Sequence, residues 1–342
     1  MHICVRAVRV DERYYLHIRE VCPMKYFELY DADNKLMKMS RIILGGVPFG
    51  TTLDEQKSFE MLDKYFERGG NTIDTARVYC DWLENGHSAS ERTIGAWIKS
   101  KNNRNEVILI TKGGHPTEDG VSRLSQEEIL SDMDHSLKAL QTDYVDLYLL
   151  HRDDINKPVN EIMDTLHLLV QMGKTRAVGV SNWTCDRILE ANAYADKNNK
   201  TRLVISQIQW SLAECFPQNF NDSTLVCMNS KEYNQYLEMG IPVMAFSSQA
   251  NGLFSKASEN GLEYVPKKLL KFITLENINR FNNLINLCKR KGYSRTAVAL
   301  NYIIDNKLNG SAIIGCTNLE QLYDCMGAAD ITLTEEEVES LV

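Results

Sequence analysis

The segment "NTIDTARVYCDWLENGHSASERTIGAWIKSKNNRNEVILITK" (residues 71–112) contains the unit from which the fold of this chain is predicted. It begins with a short apolar run at 71–74, continues through a stretch of helical period at 90–100, and ends in a second apolar run at 107–112. Strand, helix and strand in this order, in a unit of about 30 residues, are typical of a crossover between two parallel strands. The segment therefore predicts a parallel sheet with helices packed outside it.

The same unit recurs along the chain. Eight apolar runs end in glycine or in polar or charged residues, at 42–46, 71–74, 107–112, 144–151, 177–182, 204–210, 243–248 and 312–315. Helix-period stretches lie between most of them, at 53–69, 90–100, 125–140, 160–173 and 294–305. Eight units favour a single α/β domain, a closed (β/α)8 TIM barrel, over an open doubly wound sheet, which has fewer strands. No G-x-G-x-x-G turn follows the first strand, and this also favours the barrel.

Two stretches depart from the repeat. Residues 1–23 mix charged and apolar residues without a clear period, so we expect an unpacked N-terminal extension or a misplaced start, with the barrel occupying 24–342. The stretch 249–293 is too long for a simple connection. It is predicted to contain a loop and an added helix, "ENINRFNNLINLCKRKG", that ends at Gly292.

Charge and cysteine content restrict the class of function. The net charge of -8 and the pI near 5.5 disfavour a nucleic-acid or anionic-membrane partner, which requires an excess of Lys and Arg. The nine cysteines form no CxxC pair and have no histidine at zinc spacing, so we expect reduced thiols in the cytoplasm and no metal site. No stretch has 18 uncharged apolar residues, as a membrane-spanning helix would need. These properties favour chemistry on small molecules.

Four polar residues follow three consecutive predicted strands. Asp74 ends the second strand, Tyr79 lies in the loop after it, Lys112 ends the third strand, and His151 ends the fourth. Each has a structural alternative: a turn cap, a half-buried aromatic, a lysine reaching water, and a core histidine, respectively. In a (β/α)8 barrel, however, the carboxyl ends of the strands form the active site. Four such residues on neighbouring strand ends therefore favour a catalytic group.

The four side chains suit proton delivery to an oxygen that gains negative charge. A phenol near pKa 10 is a weak acid, and we expect the Lys112 ammonium to lower the pKa of Tyr79. A buried lysine needs a counter-charge, which Asp74 supplies. His151 then orients a carbonyl oxygen as a neutral hydrogen-bond donor. A hydrolase is less favoured, because no Ser or Cys forms a nucleophile motif with this histidine.

The motifs that contain these residues also carry a resemblance. From about residue 41 to the C-terminus the chain resembles the aldo-keto reductase superfamily, in particular its bacterial-type members. The similar motifs are "NTIDTARVY", "ILITKGG", "SLKALQTDYVDLYLLHRDD", "GKTRAVGVSNW", "SQIQW" and "VMAFSSQANGLFS". The resemblance implies a catalytic tetrad of Asp74, Tyr79, Lys112 and His151, with Tyr79 as general acid. It also implies NAD(P)H-dependent reduction of an aldehyde or ketone, or the reverse oxidation.

Further residues carry over as a cofactor site. By similarity Ser181, Asn182 and Gln207 would hold the nicotinamide carboxamide, for which neutral amides and hydroxyls are suited. Phe246 lies where the family commonly stacks an aromatic side chain on the nicotinamide ring, and its alternative is an ordinary core aromatic.

The last strand and helix predict a phosphate site on physical grounds. Thr317 and Glu320 have the spacing of a capping box at the start of a helix, and a helix N-terminus after the eighth strand attracts phosphate. Many NADPH-preferring relatives have Lys-Ser and Arg here, whereas this chain has Gly315, Cys316 and Gln321. NADPH is the expected cofactor, with NADH as the alternative, and the preference should be weak unless Lys256 or another loop cation reaches the site.

The substrate is predicted only as a small carbonyl compound. Trp82, Trp183 and Trp210 follow site motifs and either wall an apolar pocket or pack in the core. The alternative function is a nicotinamide-binding regulatory subunit of a membrane channel on the same barrel, which the acidic charge makes less favoured. The expected partners include no nucleic acid and no membrane, and the oligomeric state is left open.

Overall fold

The structure is a computed structural model that describes residues 6–8, 15–17, 24–84, 86–258 and 261–342. Within this part of the chain, eight parallel strands close into a barrel. The predicted (β/α)8 barrel is therefore confirmed. Four short strands precede it: β1 (Arg6–Val8), β2 (Tyr15–His17), β3 (Tyr26–Tyr30) and β4 (Leu36–Ser40). The barrel strands are β5 (Ile42–Gly45), β6 (Thr72–Asp74), β7 (Ile108–Gly113), β8 (Val145–Leu150), β9 (Thr175–Ser181), β10 (Leu203–Gln209), β11 (Val243–Phe246) and β12 (Gly310–Ile314).

Helices alternate with these strands and cover the barrel. They are α1 (Glu55–Glu67), α2 (Ala89–Lys101), α3 (Gln126–Leu140), α4 (Val159–Gln171), α5 (Cys185–Lys197), α6 (Ser230–Met239), α7 (Leu253–Lys256), α8 (Leu275–Lys291), α9 (Arg295–Ile304), α10 (Leu319–Met326) and α11 (Glu335–Glu339). Most of them begin at a residue whose side chain caps the helix, and Ser125 and Glu128 form a complete capping box on α3. The sequence pattern located most of these elements to within a few residues, but it did not identify α5, α6 or the short helices α7 and α11.

A hairpin that the sequence analysis did not predict lies at the amino ends of the barrel strands. Strands β3 and β4 pair antiparallel, and the side chain of Asn71, just before β6, bonds to the backbone of Ser40 and Lys38. The apolar side chains of the hairpin, including Phe27 and Met39, pack with the residues that fill the barrel interior. The barrel is therefore a filled core, and the hairpin covers its amino end.

The stretch after β11 has the predicted loop and added helix. Short 3-10 turns surround α7, and α8 ends at Gly292, whose φ of 71° is a left-handed value that glycine adopts without strain. Among the described residues no helix has the length and apolar character needed to cross a membrane.

Two predictions about the chain ends have different outcomes. The extension predicted at 1–23 falls largely outside the described residues, of which β1 and β2 form an antiparallel pair. The predicted capping box of Thr317 and Glu320 is wrong by one residue. Helix α10 begins at Leu319, and Asn318 is its N-cap, because the Asn318 side chain accepts a hydrogen bond from the backbone N–H of Gln321.

Candidate active site

The four predicted catalytic residues meet at the carboxyl ends of adjacent strands. Asp74 is the last residue of β6 and pairs with Ile110 of β7, while Lys112 lies two residues further along β7. His151 directly follows β8, and Tyr79 lies in the turn after β6. Parallel pairing brings these positions together because neighbouring strands end at the same rim of the barrel.

Lys112 connects the group through its ammonium. Its Nζ lies 2.8 Å from Asp74 Oδ2, 3.1 Å from the Tyr79 hydroxyl and 2.8 Å from the carbonyl oxygen of Thr75. The side chain is fully buried, so three acceptors replace the water that an exposed lysine would bind. The other carboxylate oxygen of Asp74 accepts a hydrogen bond of 2.9 Å from Gln207 Nε2, which links the lysine pair to β10.

The net shift in the pKa of Tyr79 is opposite to the one expected from Lys112 alone. Burial raises the pKa of the Tyr79 phenol above its ordinary value, although the Lys112 ammonium acts in the expected, opposite direction. The carboxylate of Asp74 further raises the pKa of Tyr79. Burial also opposes the charge of Lys112, but Asp74 and Tyr79 outweigh it and hold the pKa of Lys112 above its ordinary value. Tyr79 is therefore a protonated donor and Lys112 a cation at neutral pH.

His151 faces the tyrosine as a neutral imidazole. The ring centroids of Tyr79 and His151 are 5.9 Å apart in an edge-to-face arrangement. Burial, and then the positive charges of Lys112 and Arg152, hold the pKa of His151 well below its ordinary value. Its Nδ1 is buried and has no hydrogen-bond partner among the described residues. An imidazole in this state can donate to, or accept from, a group that enters the cleft.

Arg152 is a residue of this rim that the sequence analysis did not single out. Its guanidinium donates to the carbonyl oxygen of His151 at 2.8 Å, to Thr224 Oγ1 at 2.8 Å and to Asp222 at 2.9 Å. The arginine therefore fixes the loop after β10 against His151. The sequence signal for Arg152 was its position, because it is a charged residue that directly follows an apolar strand and the candidate His151.

A cleft of about 790 Å³ opens at this rim. Such a volume is within the usual range of small-molecule sites. Of the predicted site residues, Lys112 is buried beneath the cleft and Thr317 is not among the described residues that line it. The predicted residues that do line it are Asp74, Tyr79, His151, Ser181, Asn182, Gln207, Phe246, Gly315 and Gln321.

The predicted carboxamide-binding residues form one connected group. Ser181 ends β9 and pairs with Gln207 of β10, and Asn182 follows with a left-handed φ of 59°. The Asn182 amide donates to Ser181 Oγ at 3.0 Å and accepts from the backbone N–H of Val226 at 3.2 Å. These contacts orient neutral polar groups at the cleft wall. Phe246, the last residue of β11, lines the same cleft.

Helix α10 lines the cleft with Gln321, Asp324 and Cys325 and supplies no cation to it. The side-chain oxygen of Gln321 accepts hydrogen bonds from the backbone N–H of Thr317 at 2.9 Å and from its hydroxyl at 3.2 Å. The cations that line the cleft come from other elements, namely Arg152, Lys256, Lys268 and Lys271. Burial and the nearby Lys268 ammonium lower the pKa of Lys256, whose Nζ donates to the carbonyl oxygen of Asn251 at 2.7 Å.

The three tryptophans do not line this cleft in the described structure. Trp183 and Trp210 are buried, and Trp82 is 62% exposed. Phe220 and Leu225, from the loop after β10, supply apolar surface instead. Within the described residues no cluster of three His, Cys, Asp or Glu side chains could hold a metal ion.

Comparison with known proteins agrees with this geometry. The model of the aldo/keto reductase family matches residues 41–342. An uncharacterized oxidoreductase, YrpG, of Bacillus subtilis (strain 168) is 30% identical over 308 residues, which cover 88% of this chain and 90% of that protein. The norsolorinic acid reductase stcV of Emericella nidulans is 26% identical, covering 88% of this chain and 77% of that protein. A putative aryl-alcohol dehydrogenase, AAD14, of Saccharomyces cerevisiae is 28% identical, covering 89% of this chain and 83% of that protein.

Proposed function

The chain belongs to the aldo/keto reductase family, and on this premise we propose that it reduces an aldehyde or ketone with a nicotinamide cofactor, or catalyses the reverse oxidation. The observation that carries the proposal is the position of Lys112 Nζ, 2.8 Å from Asp74 and 3.1 Å from the Tyr79 hydroxyl. This arrangement, with neutral His151 beside it, suits protonation of a carbonyl oxygen.

The residues of the cleft fit a nicotinamide nucleotide. Amide and hydroxyl groups of Ser181, Asn182 and Gln207 lie on one wall, and the Phe246 ring lines the same space. The N-terminus of α10, after Gly315, provides backbone N–H groups suited to phosphate. Together these groups match the carboxamide, ring and phosphate parts of the cofactor.

The bound cofactor would supply the hydride that reaches the carbonyl carbon. The protein's own groups act on the carbonyl oxygen. Tyr79 donates its proton there, and Lys112 stabilises the phenolate that remains. Asp74 keeps Lys112 charged and in place, and His151 orients the oxygen toward the tyrosine.

An aromatic carbonyl compound is the substrate class that we propose. Two kinds of relative are named for aryl alcohols and for norsolorinic acid. In this chain Phe220 and Leu225 line the cleft, and Arg152 ties their loop to His151. An aromatic ring packed on these side chains would place its carbonyl group near Tyr79.

We propose NADPH as the preferred nucleotide, with a weak preference over NADH. The segment 315–326 contains no Lys or Arg, which supports a weak preference for NADPH. Lys256 and Lys268 line the cleft, which supports some preference for NADPH over NADH.

The test is oxidation of NADPH and of NADH by the purified protein with a panel of aromatic and aliphatic aldehydes and ketones. We expect turnover with aromatic carbonyls and a Tyr79→Phe variant that is nearly inactive. Negligible turnover over the whole panel, together with co-purification of a membrane protein, would favour the channel-subunit alternative instead.

A further inference from the structure

Two cysteines lie together beside the nucleotide part of the cleft. Cys316 precedes α10, and Cys325 lies in the last turn of that helix. Their sulfur atoms are 4.0 Å apart, and both residues line the cleft although each is at least 95% buried. A disulfide requires about 2.05 Å between the sulfurs, so a shift of about 2 Å would allow a bond.

The surroundings of the pair favour Cys325 as the reactive sulfur. Its Sγ accepts hydrogen bonds from Gln249 Nε2 at 3.2 Å and from the Cys316 thiol. The neighbouring Cys325 thiol and burial raise the pKa of Cys316. Cys316 donates its thiol hydrogen to Cys325, and the sulfur of Cys325 has two hydrogen-bond donors, so Cys325 is the sulfur that we expect to react first.

We propose that Cys316 and Cys325 are a redox-active dithiol that closes to a disulfide with hydrogen peroxide, and that bound nucleotide and the disulfide oppose each other. In the first step the Cys325 thiolate attacks one peroxide oxygen, the O–O bond breaks, and the departing hydroxide takes a proton to become water. In the second step Cys316 attacks the sulfenic sulfur and displaces a second water. Two thiols and one peroxide thus give one disulfide and two waters.

The coupling to nucleotide follows from the position of Cys316. It lies between Gly315 and Thr317, in the segment that leads to the phosphate-binding end of α10 in the proposed function. Closing the bond would draw this segment toward the last turn of the helix and would alter the N–H groups that meet phosphate. By linkage, the factor by which the disulfide weakens nucleotide binding is the factor by which nucleotide disfavours the disulfide. This half of the inference rests on the proposed function, whereas disulfide formation does not.

Peptide analysis tests the disulfide directly. The full chain is reduced, freed of reductant, treated with peroxide, alkylated under denaturing conditions and digested with trypsin. No Lys or Arg follows Lys307, so the peptide 308–342 contains Cys316 and Cys325 and no other cysteine. We expect this peptide to lose two hydrogen atoms and to resist alkylation until reductant is added. Full alkylation of both cysteines, or a bond from either one to a different cysteine, would overturn the proposal.

Matched variants and nucleotide binding complete the test. Cys316→Ser and Cys325→Ser should form no disulfide, whereas Cys288→Ser, which removes another buried thiol, should behave like the unmodified chain. NADPH should slow closure, and the oxidised protein should bind NADPH about tenfold more weakly until it is reduced. Equal affinity of both forms would refute the coupling. If the reduced protein binds neither NADPH nor NADH, the coupling and the proposed function both fail, and the peptide mass still decides whether the disulfide forms.

Discussion

At the scale of single residues, the charge balance of the candidate site depends on Lys112. Its ammonium is buried between Asp74 and the Tyr79 hydroxyl, at 2.8 Å and 3.1 Å. Burial has the largest effect on the pKa of Tyr79 and raises it, and the Lys112 ammonium counteracts this rise only in part. The tyrosine therefore keeps its proton until a reacting oxygen draws on it. Substitutions of Tyr79 and of Lys112 should therefore have different kinetic effects.

Tyr79→Phe removes the proton donor and leaves the nucleotide-binding residues intact. We expect kcat for carbonyl reduction to fall by about 10²–10⁴, with the Kd for NADPH changed less than about twofold. Steady-state kinetics and fluorescence titration measure the two quantities. Tyr30→Phe, which changes an exposed tyrosine on the hairpin, is the control and should keep full activity. Comparable kcat in Tyr79→Phe and the unmodified chain would rule out Tyr79 as the acid.

Lys112→Met removes the cation that lowers the pKa of Tyr79. Since reduction requires the protonated phenol, its rate falls as pH rises through the pKa of Tyr79, which lies above its ordinary value of 10.0. In the variant this descending limb should move to still higher pH, and kcat should fall by about 10²–10³ because the donor is a weaker acid. A pH–rate profile compares the two proteins. An unshifted limb in a folded variant would contradict the role of Lys112.

At the scale of elements, α10 shows how one residue sets the start of a helix. Thr317 and Asn318 are both good capping residues, and their order alone does not choose between them. The Asn318 side chain bonds to the backbone N–H of Gln321, while Thr317 donates to the Gln321 side chain. The helix start therefore lies one residue later than the capping-box spacing suggests, and the segment before it faces the cleft.

Asn318→Ala should destabilise α10 by removing its N-cap. We expect the free energy of unfolding to fall by about 1 kcal/mol, as measured by urea denaturation without nucleotide. Thr317→Ala is the matched comparison, and it should cost less because the Thr317 hydroxyl does not cap the helix backbone. A larger loss for Thr317→Ala would restore Thr317 as the cap.

Gln321→Arg adds a cation to the wall of the cleft that α10 forms. If the 2'-phosphate of NADPH lies there, the ratio of NADH to NADPH dissociation constants should rise about tenfold or more, since a charge-assisted hydrogen bond contributes roughly 1.5–3 kcal/mol. Gln321→Met removes the acceptor for Thr317 without adding charge, and it separates the two effects. Fluorescence titration gives both constants. The same ratio in all three proteins would place the 2'-phosphate elsewhere.

At the scale of the whole molecule, buried polar groups lie outside the site as well as in it. Glu91 of α2 is fully buried and accepts a hydrogen bond of 2.6 Å from Thr111 of β7, while its other carboxyl oxygen has no partner among the described residues. Burial raises the pKa of Glu91 to about 7 from an ordinary value of 4.5. Stability of the entire barrel should therefore depend on its protonation.

The sign of this dependence is defined by the raised pKa. The folded state holds the proton of Glu91 more tightly than the unfolded chain does. The stability that protonated Glu91 gives to the folded state is therefore fully present below pH 4.5 and is lost as pH rises through 7. For a shift of this size the loss is on the order of 3 kcal/mol. Glu91→Gln should remove this part of the pH dependence when unfolding is measured in urea at several pH values. Glu60→Gln, an exposed control on α1, should keep it. If the free energy of unfolding changes equally with pH in Glu91→Gln and in the unmodified chain, this dependence does not come from Glu91.

By itself, the sequence determined the repeat of strands and helices and the positions of the polar residues at strand ends. Both are local properties: a strand or helix is visible in the period of its apolar residues, and its end is visible where that period stops. This was enough for the barrel and for the meeting of Asp74, Lys112 and His151, because parallel strands that close into a barrel end at one rim.

Only the tertiary structure decided which residues far apart in the sequence lie close together. Arg152 reaches Asp222, which is 70 positions away, and the β3–β4 hairpin closes the amino end of the barrel. The raised pKa of Tyr79 likewise depends on its burial in the folded chain, which opposes the effect of the nearby ammonium by an amount that no sequence spacing encodes. The pairing of Cys316 with Cys325 arises in the same way, since the turn into α10 sets the 4.0 Å between their sulfurs.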